Sequence, residues 1–115
     1  MVQIFKALSE DSRVRVVSLF VSGNDLCVCE VEAILGMTQS NVSRHLSVLK
    51  NSEILVSYRR AQWTYYQLNQ AFIVNNQELW EYLKRTFAAS ESFQWDCKKL
   101  EECRSSDLCV CKTKK

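Results

Sequence analysis

The stretch Thr38-Gln-Ser-Asn-Val-Ser-Arg-His-Leu-Ser-Val-Leu-Lys50 decides how this chain is read. Val42, Leu46 and Leu49 recur at i, i+4 and i+7, which sets one apolar stripe along a short helix. The opposite face carries Gln39, Ser40, Ser43, Arg44, Ser47 and Lys50, all hydrogen-bond donors and none of them an acid. Thr38 can cap the helix, and Gly36 just before it can turn the chain out of a preceding helix. Helix, glycine turn, then a helix with an apolar inside and a polar, basic outside is the helix-turn-helix plan. That outer face suits the major groove of double-stranded DNA, since Gln can pair with adenine, Arg with guanine and Ser with either.

Composition sets the bounds around this motif. At 115 residues the chain is expected to be one domain with a core that needs no staples. Hydrophobic residues make up 47% and charged residues 24%, with two glycines and no proline, which points to a compact, mostly helical fold. A formal net charge of +2 does not mark a nucleic-acid binder, so any basic surface must be local. Lys6, Glu10, Asp11 and Arg13 interrupt the N-terminal apolar run. A signal peptide is therefore not expected, nor is a membrane span, and the expected compartment is the cytoplasm.

Working outward, residues 2–9 read as a short helix with Ile4, Phe5 and Leu8 on one face. Ser9 or Ser12 can cap a second helix over about 12–22, burying Val14, Val17, Leu19 and Phe20 and ending near Gly23-Asn24-Asp25. A third helix over 28–35 turns Val28, Val31, Ile34 and Leu35 inward. After the recognition helix, 54–58 and 63–68 are rich in β-branched and aromatic residues and flank Arg59-Arg60-Ala61-Gln62. They predict a β-hairpin wing whose Arg59 and Arg60 touch phosphates beside the groove. Residues 71–88 predict one long helix striped by Phe72, Leu79, Leu83 and Phe87 and widened by Ile73, Trp80 and Tyr82. Residues 90–104 continue as helix with Phe93, Trp95 and Leu100, and 105–115 read as a tail. The division is 1–89 as a winged helix-turn-helix DNA-binding and dimerisation domain and 90–115 as a cysteine-containing C-terminal helix and tail. The first and last helices are the expected homodimer interface, which would present two recognition helices one helical turn apart.

Six cysteines in a cytoplasmic chain of this size are not expected to form a disulfide framework. Cys27 and Cys29 form one Cys-x-Cys, Cys109 and Cys111 another, and Cys97 and Cys103 stand alone between them. Thiolates select soft ions, and the single histidine, His45, offers no competing ligand cluster. Cys27 and Cys29 lie at a helix start, where the macrodipole favours thiolate. Within a regular helix, i and i+2 diverge, so both can hold one ion only where the first turn is extended or unwound. Binding would then distort the helix that supports the recognition helix.

Asp25-Leu-Cys-Val-Cys-Glu30 followed by Thr38 to Lys50 resembles the ArsR/SmtB family of metal-responsive winged-helix repressors. Ala7-Leu-Ser-Glu-Asp-Ser-Arg13 resembles its first helix junction and Arg59 to Tyr66 its wing, so the likeness covers roughly residues 4–88. The resemblance implies a mainly α homodimer with a β-hairpin wing, bound to operator DNA when metal-free and released when metal binds. It also implies DNA-reading roles for Gln39, Ser40, Ser43, Arg44 and His45. The Cys-Val-Cys points to the arsenic-responsive or the cadmium/lead-responsive branch. Three departures stand out: Glu32 occupies the position of a common third cysteine, Glu53 replaces the usual glycine after the recognition helix, and paired histidine and acidic ligands of the zinc branch are missing.

As(III) takes three thiolates, and Cd(II) or Pb(II) three or four, so Cys27 and Cys29 need further ligands. The cadmium branch recruits them from an N-terminal arm, which is not expected here. Cys97 or Cys103 is the expected third ligand, with Cys109 or Cys111 next. A self-contained C-terminal site made from Cys97, Cys103 and Cys109 or Cys111 is the competing arrangement. The reading is a repressor released by As(III) or Sb(III), with Cd(II) or Pb(II) second. A thiol-redox repressor and a constitutive DNA-binding protein with structural zinc are the other classes. An enzyme is not expected, since no Cys-His pair or Gly-rich phosphate loop is present.

Overall fold

A computed structural model describes residues 2–106, with side chains through residue 103. Seven helices and three strands follow in order among the described residues: α1 (Val2–Ala7), α2 (Asp11–Ser18), β1 (Leu26–Cys27), α3 (Val28–Leu35), α4 (Gln39–Asn51), β2 (Leu55–Arg60), β3 (Trp63–Leu68), α5 (Gln70–Asn75), α6 (Gln77–Ala89) and α7 (Glu91–Ser106). This is a mainly α winged helix-turn-helix with a β-hairpin wing.

The recognition helix forms as its pattern requires. Thr38 is extended and its side chain accepts the Asn41 N–H at 3.3 Å. Gly36 ends α3 in the left-handed region at φ 69°, where a glycine carries no Cβ penalty. Val42, Leu46 and Leu49 are fully buried with Val16, Val17 and Phe20 of the α2 segment and Val31 and Ile34 of α3. Each such side chain stabilises the fold by roughly 1.5–3 kcal/mol.

The fourth buried residue of that stripe is His45, which is 2% exposed. Its role as a DNA-reading residue is therefore corrected: it completes the i, i+3, i+4, i+7 set with Val42, Leu46 and Leu49 and faces the core.

The turn after α4 meets the missing glycine directly. Glu53 takes the left-handed conformation at φ 64°, and the Ile54 N–H reaches Leu49 O at 3.0 Å. Asn69 holds the bend by donating from Nδ2 to Glu53 O at 2.9 Å, while its own N–H donates to Ile54 O at 3.0 Å.

The wing is tighter than its sequence implied. β2 and β3 pair antiparallel from Leu55↔Leu68 to Arg60↔Trp63, leaving Ala61-Gln62 as a two-residue turn with Ala61 at φ 57°. Arg59 and Arg60 are thus exposed strand ends, not turn residues. A third strand, β1, was not anticipated; it pairs Leu26↔Tyr66 and Cys27↔Tyr65, giving the order β1-β3-β2.

Other expectations change at helix ends. Phe5 on α1 is 55% exposed, and Ala7 is the buried residue there. Glu10, not Ser9 or Ser12, occupies the N-cap of α2, which stops at Ser18 and buries Val16 in preference to Val14. The helix expected over 71–88 breaks at Asn76, whose backbone leaves the helical region at φ −135°, ψ 47°. Its Nδ2 donates to Phe72 O at 3.0 Å, the backbone competition by which asparagine ends helices. The break lets α6 rotate, so Trp80, Leu83 and Phe87 are buried, Leu79 is half-buried and Tyr82 stays 58% exposed. On α7, Leu100 and Cys103 join the same core, while Trp95 points outward.

Two consequences follow. Glu53→Gly should raise stability by about 0.5–1 kcal/mol, read as a higher urea midpoint with an unchanged slope, because it relieves a left-handed Cβ without touching the backbone bonds to Asn69. Burial, with Arg44 second, lowers the His45 pKa below 6.5, and its Nδ1 has no hydrogen-bond partner among the described residues. On acidification the unfolded chain takes up this proton first, so stability should fall as pH drops below 6.5. His45→Leu should flatten that limb, measured as urea unfolding at a series of pH values.

Candidate nucleic-acid interface and thiol site

The DNA-facing surface starts from what the core takes away. With four positions of α4 buried, Gln39, Ser40, Arg44, Ser47 and Lys50 remain exposed on its outer side and Ser43 is half-buried. Arg44 is steered by Glu10, whose Oε2 lies 3.9 Å from Arg44 Nη1 and 2.8 Å from Arg13 Nη1. Arg13 is itself buried, donating from Nε to Ala7 O at 2.7 Å, so α1, α2 and the outer face of α4 are tied at one point. Arg59 and Arg60 extend the cationic surface along the end of the wing. Donors over a helix face plus cations on a flanking hairpin can read base edges and hold phosphates.

The thiol site lies at the junction of β1 and α3. Cys27 is extended (φ −99°, ψ 171°) and is the N-cap of α3, while Cys29 is the second residue inside the helix. The Glu30 carboxylate accepts the Cys27 N–H at 3.0 Å, and the Cys27 sulfur faces the Glu30 N–H in return, closing a capping box. Because Cys27 sits outside the helix, both sulfurs point the same way and lie 3.0 Å apart. Of the two expected conditions, an extended or an unwound first turn, the extended one is found at Cys27. Two soft donors at this separation, with Cys29 over the positive end of an eight-residue helix, can share one thiophilic ion.

The other cysteines are placed differently. Cys103 is buried in the main core and Cys97 is half-buried on α7. Among the described residues no group of three or more His, Cys, Asp or Glu that could hold a metal ion is found. Cys109 and Cys111 lie outside the described residues. The α7 helix that carries Cys97 and Cys103 packs on α2, α3 and α6. It is pinned by the bidentate pair of Arg15 with Asp96, both bonds 3.1 Å, and the Asp96 hydrogen bond raises the Arg15 pKa.

Sequence reasoning missed the neighbours of the thiols. Tyr65, buried, packs with Cys27, and Cys29, Tyr58 and Trp63 complete that small cluster. Tyr58 stacks on Tyr65 with ring centroids 5.7 Å apart, and its hydroxyl donates to the Asp25 carboxylate at 2.5 Å, which raises the Tyr58 pKa. The one signal available was Glu30, three residues after Cys27, at capping-box spacing.

The chain is similar in sequence and in fold to known proteins. The family model described as "Bacterial regulatory protein, arsR family" matches residues 10–57. The arsenic resistance transcriptional regulator ArsR2 of Pseudomonas putida is 42% identical over 66 residues, covering 57% of this chain and 57% of that protein. The cadmium resistance regulatory protein CadC of Listeria innocua is 32% identical over 75 residues, covering 65% and 63%. The match thus spans less than two thirds of either relative. The transcriptional repressor SdpR of Bacillus subtilis is 30% identical over 66 residues, covering 57% of this chain and 72% of that protein. Among solved structures, HlyU from Vibrio cholerae N16961 superposes with a TM-score of 0.65 at 25% identity, over 76% of this chain and 90% of that one. Sequence, fold and the helix-turn-helix with its wing agree: this chain belongs to the arsR family of bacterial regulatory proteins.

Proposed function

We propose that the chain is a cytoplasmic transcriptional repressor that binds operator DNA as a homodimer and lets go when Cys27 and Cys29 bind As(III) or Sb(III), so controlling metalloid resistance genes. The observation that carries this reading is the pair of sulfurs 3.0 Å apart at the N-cap of the helix that supports the recognition helix. Resemblance to an arsenic resistance regulator supports the choice of inducer. Resemblance to a cadmium regulator favours Cd(II) or Pb(II) as the second reading, through the same thiols.

The bound ion supplies strong bonds to soft sulfur, and the rest is done by the chain. The Cys27 sulfur, drawn toward an ion, no longer faces the Glu30 N–H, and α3 loses half of its capping box. A cap contributes about 1 kcal/mol, and an allosteric linkage needs about 1–3 kcal/mol per ligand, so two sites in a dimer suffice to clear an operator. α3 passes the change through Gly36 to α4. A third sulfur comes from Cys97, Cys103, Cys109 or Cys111. The dimer forms through α1 with α5 and α6: Val2, Phe5, Val74 and Tyr82 expose apolar area there, and Phe5, Val74 and Leu79 line one hollow.

The test is fluorescence anisotropy on duplexes selected by the protein from a random pool, titrated with arsenite, Cd(II) and Zn(II). Wild type should release the DNA with arsenite. Cys27→Ser/Cys29→Ser should bind DNA with unchanged affinity and stay bound; release by this variant would move the sensor to the C-terminal cysteines. Single serine variants at Cys97, Cys103, Cys109 and Cys111 then identify the third ligand by loss of arsenite affinity.

The wing gives a separate check. Arg59→Ala/Arg60→Ala should weaken binding to all sequences alike and lower the salt slope by about 1–2 per protomer, because those side chains meet phosphates and not bases.

A further inference from the structure

We propose that Tyr58 is a positioning residue that ties the thiol pair to the wing, so that the wing is released from DNA together with the recognition helix. The inference rests on the reading of Cys27 and Cys29 as the inducer site and goes beyond it by naming a second output path.

The path is a closed ring of contacts. Asp25 precedes β1, whose two residues are Leu26 and Cys27. Cys27 pairs with Tyr65 of β3, and Tyr65 pairs in turn with Tyr58 of β2. The two tyrosine rings stack at 5.7 Å with their planes 21° apart, and the Tyr58 hydroxyl returns to Asp25 at 2.5 Å. Cys27 is therefore at once a sulfur ligand, a helix cap and a rung of the wing sheet. Arg59 and Arg60 follow Tyr58 directly on β2, within about 7 Å of strand.

The chemistry of the ring gives it direction. A two-residue strand has too few ladder bonds to hold its place alone. The Asp25 bond to the phenol and the Tyr58 stack on Tyr65 add to them, and both are made by the hairpin. A shift of Cys27 toward a bound ion moves β1, and the wing follows for as long as Tyr58 holds Asp25. Tyr58→Phe opens the ring at a single hydroxyl, leaving the stack and the ladder in place. Asp25→Asn weakens the same bond from the other end and guards against an effect peculiar to one substitution. Trp63, opposite Arg60 and packed with the thiol cluster, reports on the wing base by its fluorescence.

The experiment measures arsenite affinity without DNA, DNA affinity with and without arsenite, and Trp63 emission as the difference between the protein and its Trp63→Phe variant. In wild type, arsenite should change Trp63 emission and loosen DNA. In Tyr58→Phe and Asp25→Asn, arsenite affinity should stay within twofold, the arsenite-induced loss of DNA affinity should shrink at least tenfold, and the Trp63 response should vanish. If both variants release DNA as wild type does, the coupling is overturned and the thiol sensor stands. If wild type binds DNA but arsenite does not release it, the inducer reading and the coupling fall together.

Discussion

One residue, Cys27, carries a constraint on which the arrangement of the whole molecule turns. Its backbone is extended, so it can pair with Tyr65, and its carbonyl end starts α3. A residue cannot belong fully to a strand and to a helix, and the capping box with Glu30 resolves the conflict at that peptide. The same extended geometry brings its sulfur to 3.0 Å from that of Cys29. Sheet, helix and thiol pair are thus three consequences of one backbone conformation.

Burial of the α4 stripe does the complementary task of fixing what faces outward. Val42, His45, Leu46 and Leu49 leave Gln39, Ser40, Arg44, Ser47 and Lys50 on the far side. Glu10 and Arg13 connect that outer face to α1 through two ion pairs and the Arg13 hydrogen bond to Ala7 O. The Arg44–Glu10 pair is exposed and contributes little stability, so its value lies in orienting Arg44. Orientation, burial and the fixed turn at Gly36 together present a rigid reading surface.

Helix-turn-helix and wing were legible because each depends on local pattern. Val42, Leu46 and Leu49 at helical spacing, Gly36 before a capping threonine, and β-branched runs around two arginines are all short-range signals. His45 was misplaced because a family position was allowed to outweigh its phase in the same stripe. The break at Asn76 was missed because the apolar stripe over 71–88 is continuous, whereas the helix is ended by an asparagine side chain bonding Phe72 O.

The amino-acid order alone determined the fold class, the outer face of α4 and the soft, sulfur-rich character of the Cys27–Cys29 pair, since periodicity and side-chain chemistry are properties of the chain itself. Tertiary structure decided which groups meet. β1 is two residues long and exists only because β3 is there to pair with it. Tyr58 and Asp25 are far apart in sequence and bond only after the hairpin folds back. Glu53 takes a conformation that its own sterics oppose, held by Asn69 from a different element. In each case the deciding energy comes from a partner distant along the chain, and no local pattern records that partner's presence.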